Sequence, residues 1–195
     1  MFTKWELRMR YLQLRDQLTK KERVLLSEKI CKNLILQLKP AEDQSIHVFL
    51  PIITRGEIDT WPFIKHCWKS GAEVFVPKVV GDEMISVPLK SNTVLVESRW
   101  GIPEPESDEG ALNVDYDYVV TPLLYADAHG NRVGYGKGFY DRFFARINRD
   151  ALKVGVNYFP PREEISDLFT GDFPLDKLVL PEEILSFGFG SKSTK

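Results

Sequence analysis

Arg132-Val-Gly-Tyr-Gly-Lys-Gly-Phe-Tyr-Asp-Arg142 sets Gly134, Gly136 and Gly138 on alternate positions, with Lys137 between the last two. Upstream, Tyr118 to Thr121 reads as a buried strand, and downstream a helical pattern covers about 137–148. Glycine allows positive φ and a close approach of the backbone to an anion. Successive N–H groups in such a turn form an anion-binding concavity, and a following helix adds the positive end of its dipole. A phosphate suits this loop. The segment is not a P-loop, since no Ser or Thr follows Lys137, and it misses the dinucleotide fingerprint, whose third glycine would fall at Phe139. Spacing alone leaves a tight connection and a phosphate cradle both open. Charge adds weight to the second: Arg132, Lys137, Arg142, Arg146 and Arg149 crowd the region, with Asp141 the acid among them. A solvated helix face accounts for Arg146 and Arg149, but accounts poorly for a lysine between glycines.

Outward from this loop the chain alternates strand and helix. Helices are expected over 4–18 and 20–38, the second opened by the Thr19-x-x-Glu22 capping box and stopped by Pro40. Val24, Cys31, Ile35 and Leu38 recur at helical spacing as its inner face. Ile46–Leu50 reads as a strand, and 61–70 as a helix with Phe63, Ile64, Cys67 and Trp68 turned inward. Glu73–Val76 is a strand closed by Pro77, followed by short strands near 84–88 and 93–97. Trp100 to Leu112, with Pro103 and Pro105, reads as a surface loop. Ala151–Val156 and Lys177–Leu180 complete the strands. The alternation predicts an α/β fold with a mostly parallel central sheet flanked by helices, and ligands at the carboxyl ends of its strands. One domain over 1–187 is expected, with 188–195 a frayed Gly/Ser/Lys-rich tail.

The composition narrows the function. A chain of 195 residues with 43% hydrophobic residues supports a real core, and a net charge of −2 argues against sequence-independent nucleic-acid binding. No apolar run reaches membrane-span length, and the N-terminus lacks the apolar core of a secretion signal. Cys31 and Cys67 have no metal-binding or redox spacing, so buried thiols and a cytoplasmic location are expected. His47, His66 and His129 have no metal spacing either, and no nucleophilic triad is visible.

Several charged residues have two readings each. Lys4 and Arg8 lie one helical turn apart, as an anion clamp or as a solvated face. Asp59 or Thr60 suits a helix N-cap, which leaves Glu57 as a loop carboxylate able to hold ligand N–H groups. Asp141 suits either Mg²⁺ beside a polyphosphate or compensation of a helix dipole. Asp176 is a second metal ligand or a turn acid.

Taken in order, these segments resemble the 5-formyltetrahydrofolate cyclo-ligase (methenyltetrahydrofolate synthetase) family over nearly the whole chain. The resemblance is carried by Lys4-Trp-Glu-Leu-Arg8, Thr19-Lys-Lys-Glu-Arg23, Phe49-Leu-Pro51, Gly56-Glu-Ile-Asp-Thr60, Val76-Pro-Lys78, Trp100-Gly-Ile-Pro-Glu-Pro105, Val120-Thr-Pro-Leu123 and Asp127-x-x-Gly130-x-Arg132 leading into the glycine loop. It implies ring closure of 5-formyltetrahydrofolate to 5,10-methenyltetrahydrofolate with ATP as co-substrate and Mg²⁺ as cofactor. It further implies nucleotide binding by Lys4, Trp5, Glu6, Leu7 and Arg8 and by Arg132, Val133, Gly134, Tyr135, Gly136, Lys137, Gly138, Phe139 and Tyr140. Folate contacts are implied for Arg8, Glu57, Trp100 and Tyr135 to Phe139, catalytic charge for Arg8 and Lys137, and Mg²⁺ ligation for Asp141 and Asp176. Small-molecule partners alone, and a monomer or weak dimer, are expected. Tyr125-Ala126 and Gly171 depart from the family pattern. The rival readings are a sugar-phosphate isomerase or acyl-CoA transferase relative, which shares the architecture, and a non-catalytic folate- or nucleotide-binding protein.

Overall fold

A computed structural model describes residues 1–98, 101–110 and 114–188. Its helices are α1 (Lys4–Gln17), α2 (Lys20–Leu38), α3 (Trp61–Lys69) and α4 (Phe139–Phe144). Its strands are β1 (Ser45–Val48), β2 (Glu73–Val80), β3 (Glu83–Pro88), β4 (Leu95–Glu97), β5 (Pro103–Pro105), β6 (Tyr118–Pro122), β7 (Tyr125–Ala126), β8 (Arg132–Val133), β9 (Leu152–Val156), β10 (Lys177–Val179) and β11 (Ile184–Ser186).

Among the described residues the central sheet has seven strands, in the order β11-β10-β9-β6-β1-β2-β3. Every pairing from β10 to β2 is parallel, and β3 and β11 are antiparallel edges. The expected α/β fold with a mostly parallel sheet is therefore the observed one. From β1 the chain moves to one side to make β2 and later to the other side to make β6. That reversal puts a topological switch point between β1 and β6, where such sheets open a crevice at their carboxyl ends.

Both faces of the sheet are covered, which is why its strands are apolar on consecutive positions. Ile46, Val48, Val74, Val76, Val120 and Val154 meet α2 and α3 on one face. Phe75 and Val119, one residue out of phase with these, meet Phe143 and Phe144 of α4 on the other. Thr3 and Thr19 cap α1 and α2 by the same device: each side chain accepts the N–H of the glutamate three residues on, and that glutamate accepts the threonine N–H. The box at Thr19 was expected; the one at Thr3 is an additional finding.

Four local expectations are corrected. The buried face of α2 is Ser27, Ile30, Cys31, Leu34 and Leu38, whereas Val24 is half exposed. Full burial starts only at Ser27, whose hydroxyl accepts the Asp59 N–H and meets the Tyr158 hydroxyl. β2 does not stop before Pro77 but runs through it, because β1 pairs only with Glu73 to Phe75 and makes no ladder with Pro77. Within the supposed surface loop, Pro103–Pro105 pairs with β4 and buries Glu104. The helix after the glycine loop has six residues rather than about twelve. Asn148 ends the segment by exchanging hydrogen bonds with the N–H and carbonyl of Tyr116.

Candidate active site

The switch point opens into a cavity of about 560 Å³. Its floor is apolar: Phe49 and Leu50 follow β1, Pro77 and Val79 belong to β2, Met84 to β3 and Pro122 to β6. One wall is the loop from Gly134 to Gly138, and the charged groups Lys4, Arg8, Arg55, Glu57, Glu104, Arg132, Asp141 and Asp172 also line it. The segment 127–133 aims the glycine loop. The Asp127 carboxylate accepts the N–H groups of His129 and Asn131 and the Asn131 amide, closing the turn between β7 and β8. Tyr125, buried beside it, contributes core packing and holds the backbone of Arg162 and Glu163.

Helix α1 supplies the next layer. Lys4, Arg8, Tyr11 and Arg15 fall at i, i+4, i+7 and i+11, a single stripe on the helix. The Lys4 ammonium pairs with Asp172 and lies 5.0 Å from the centre of the Phe169 ring. Arg8 Nε donates to the Gly134 carbonyl at 2.8 Å. Gly136, at φ 86, lies so close that an added Cβ would meet the Arg8 guanidinium at 3.3 Å. A side chain there would be strained by its φ and would press on that guanidinium. Tyr11 stacks on Tyr125, with ring centres 4.3 Å apart, and its hydroxyl donates to Glu163.

The other functional groups come from separate elements. Arg132 pairs with Asp141 at 2.6 Å and donates to the Phe173 carbonyl, while its guanidinium packs on the Phe144 ring. Burial lowers the Arg132 pKa, and Asp141 opposes that shift. Glu57 follows the turn Ile53–Arg55 and is 7% exposed. One of its oxygens accepts the Ile52 N–H at 2.8 Å and the other the Tyr135 hydroxyl at 2.7 Å. Burial pushes the Glu57 carboxyl above the usual range, against the pull of those donors and of Arg15 and Arg55.

The expected site residues therefore divide. Lys4, Arg8, Glu57, Arg132, Asp141 and most of the glycine loop share one cavity. Within the segment from Lys4 to Arg8, Trp5 is 66% exposed and outside the lining, Leu7 is core, and Glu6 closes the Thr3 cap. Val133 is core as well. Asp176 is not on the cavity wall; it accepts the Lys153 N–H and pairs with the Lys153 ammonium, tying β10 to β9. Asp172, four residues earlier, lines the cavity instead. Trp100 lies outside the described residues. Arg15, Asp172 and Phe169 were not singled out from the sequence. For Arg15 the helical spacing from Lys4 and Arg8 was an available signal; for the others no local signal existed.

Fold and cavity together define a class: an α/β protein with a glycine loop and a ring of cations at a switch point. A model of the 5-formyltetrahydrofolate cyclo-ligase family matches residues 1–159. A Caenorhabditis elegans protein named a probable 5-formyltetrahydrofolate cyclo-ligase is 30% identical over 205 residues, covering 94% of this chain and 95% of its own. One from Schizosaccharomyces pombe with the same name is 29% identical over 177 residues, 80% of this chain and 84% of its own. The solution structure of Aquifex aeolicus 5,10-methenyltetrahydrofolate synthetase is similar with a TM-score of 0.74, at 32% identity, over 98% of this chain and 96% of that one. The chain belongs to the 5-formyltetrahydrofolate cyclo-ligase family, and it is a folate-directed ligase.

Proposed function

We propose that this protein closes the ring of 5-formyltetrahydrofolate to 5,10-methenyltetrahydrofolate, consuming ATP and releasing ADP and phosphate. The observation that carries this reading is one cavity that joins a buried carboxylate, Glu57, to Lys4, Arg8, Arg132 and the glycine loop. An amide-like formyl oxygen leaves poorly, so it first takes the γ-phosphoryl group, with cleavage of the bond to ADP. N10 then attacks the activated carbon and loses its proton, and the C–O bond breaks to release phosphate. Such transfer asks mainly for positioning and for cationic stabilisation of the moving group. Arg8 and Lys137 supply that charge from two sides of Gly136, and no nucleophilic side chain is required. Glu57 receives the N–H groups of the pterin, and the apolar floor receives its ring faces.

Mg²⁺ fits the donor set. Asp141 and Asp172 both line the cavity, and among the described residues no cluster of three or more His, Cys, Asp or Glu forms a dedicated cage. One or two carboxylates completed by phosphate oxygens is the usual Mg²⁺ arrangement. Bound there, the ion would neutralise charge on the transferring phosphates. Asp172 replaces Asp176 as the second ligand in this reading, because Asp176 is engaged with Lys153 away from the wall.

Purified protein given ATP, Mg²⁺ and 5-formyltetrahydrofolate is expected to form a product absorbing as a methenyl-folate, with ADP in equal amount. No product and no ADP would end the assignment. Asp172→Asn should raise the Mg²⁺ concentration needed for half-maximal rate, and Asp176→Asn should leave it unchanged.

A further inference from the structure

Arg15 is 2% exposed, yet among the described residues it makes no ion pair with a carboxylate and its Nε–H meets no hydrogen-bond partner. A buried arginine left partly unsatisfied is a poor source of stability, since an apolar residue of similar volume avoids the desolvation cost. Its remaining bonds indicate a different use. One terminal nitrogen donates to the Leu123 carbonyl at 2.6 Å and the other to the Tyr135 hydroxyl at 3.0 Å. A guanidinium has donors and no acceptor. Tyr135 must therefore accept from Arg15, and its single proton is left for Glu57 at 2.7 Å. The first step of the relay, from Arg15 to Tyr135, is fixed by chemistry, and an ionised Glu57 then accepts the Tyr135 proton.

We propose that Arg15 is a positioning residue for the folate site, holding Glu57 as an ionised acceptor for the pterin through the hydroxyl of Tyr135. The proposal rests on the folate reading above and adds the group that sets the state of its carboxylate. Both Glu57 oxygens face donors, Ile52 N–H and Tyr135 O–H, an arrangement that suits a carboxylate; a proton on Glu57 would have to turn the Tyr135 O–H away and load an oxygen that already accepts from Arg15. Burial works against the charge, and the arginines oppose it. The groups that face Glu57 are Arg15 from α1, Arg55 from the turn before it, Tyr135 from the glycine loop, Tyr140 from α4 and Tyr158 after β9. Arg23 of α2 lies beside Gly56, next to it. Arg15 is joined to Glu57 through the Tyr135 hydroxyl by a chain of hydrogen bonds, and polarisation along such a chain strengthens each member.

The test is direct titration of 5-formyltetrahydrofolate and of ATP, separately, from about pH 6 to about pH 9, a span above the ordinary carboxylate range. Folate affinity of the unaltered protein should vary less with pH over this span than that of either relay variant. In Arg15→Met, with the relay cut, the Glu57 carboxyl moves further up, because burial is then opposed by one charge fewer. Folate binding should then be weak at the acidic end and recover towards the alkaline end, by up to about tenfold per pH unit below the new pKa. ATP affinity should not change. Tyr135→Phe cuts the relay while retaining Arg15 and should show the same pH dependence, which covers the case of an unstable Arg15→Met protein. Arg15→Lys, able to donate to Tyr135, should restore most of the affinity at the acidic end. Glu57→Gln should bind folate weakly at every pH, and adding Arg15→Met to it should change nothing further. Loss of folate affinity that is independent of pH, equal loss for ATP, or no loss in either relay variant overturns the proposal. If the unaltered protein does not bind 5-formyltetrahydrofolate, the functional reading fails and the relay falls with it. If it binds and the relay variants vary with pH no more than it does, only the relay fails.

Discussion

Helices α1 and α2 are consecutive, open with the same threonine–glutamate cap and read alike as basic, leucine-containing segments, yet they do opposite work. α2 buries Ile30, Cys31, Leu34 and Leu38 in the main core under the sheet. α1 buries little apolar surface apart from Leu7 and Tyr11, and turns Lys4, Arg8 and Arg15 towards the cavity and its loop. Packing on an apolar face normally provides most of a helix's stability in a protein. α2 follows that rule. α1 gives part of it up in order to present cations to a ligand, and it is held by polar ties instead: Tyr11 to Glu163, Arg8 to Gly134, and the Lys4 N–H to Asp167 at 2.6 Å.

A substitution in each helix should separate the two roles, and this is the largest effect expected. Leu34→Ala in α2 removes a fully buried side chain. It should lower stability by about 2–5 kcal/mol, with the folded fraction keeping its kcat. Arg8→Ala in α1 should do the reverse: kcat falls roughly 10²–10³-fold, the usual cost of one electrostatic contact to the transferring group, with a smaller loss of stability than Leu34→Ala, that of the single bond to Gly134. Denaturant melts and steady-state rates on both variants decide it. A destabilised Arg8→Ala protein with normal kcat would make α1 a structural helix like α2.

Glu57→Gln sharpens the comparison by moving off the helix. The amide keeps the shape but presents a donor where an acceptor is needed, a buried mismatch of about 1–3 kcal/mol. Folate affinity should fall roughly tenfold while ATP affinity holds, and titrating each ligand separately reads the difference. Equal losses would point to a damaged fold, and an unchanged folate affinity would remove Glu57 from the pterin site.

The difference between the helices also explains what the sequence could and could not disclose. The period and caps of α2 gave its bounds, because those signals are local, but the inner face was misjudged at Val24. Nothing local says that full burial begins at Ser27. The parallel sheet was legible because strands alternate with helices, and the glycine loop because glycine spacing and cation density are both local. Arg15 and Asp172 were not, since their roles depend on Tyr135, Lys4 and the cavity wall, which are distant in sequence. In the linear order Asp176 is the expected metal acid, and nothing there distinguishes Asp172. Only the fold pairs Asp176 with Lys153 and turns Asp172 to the cavity. Ordered motifs located the site; three-dimensional contacts decided which members of each motif line it.

The smallest expected effect tests the two caps against each other. Thr3→Ala and Thr19→Ala each remove a side chain that accepts the N–H of the third helical residue and that partners the returning glutamate. Each should cost about 0.5–2 kcal/mol of stability. The consequences for catalysis should differ. The first turn of α1 carries Lys4, whose ammonium reaches Asp172 and whose backbone N–H is bonded to Asp167, so fraying there displaces a cavity-lining cation. The first turn of α2 carries Lys20, Lys21 and Glu22, all exposed and none lining the cavity. Thr3→Ala should therefore raise the KM for ATP a few-fold, by roughly the factor that about 0.5–1 kcal/mol represents, while Thr19→Ala should leave it unaltered at equal loss of stability. Paired measurements of unfolding midpoint and KM would show this. Equal KM values in the two variants would mean that Lys4 keeps its place without the cap, and that Asp167 and Asp172 suffice to hold the start of α1.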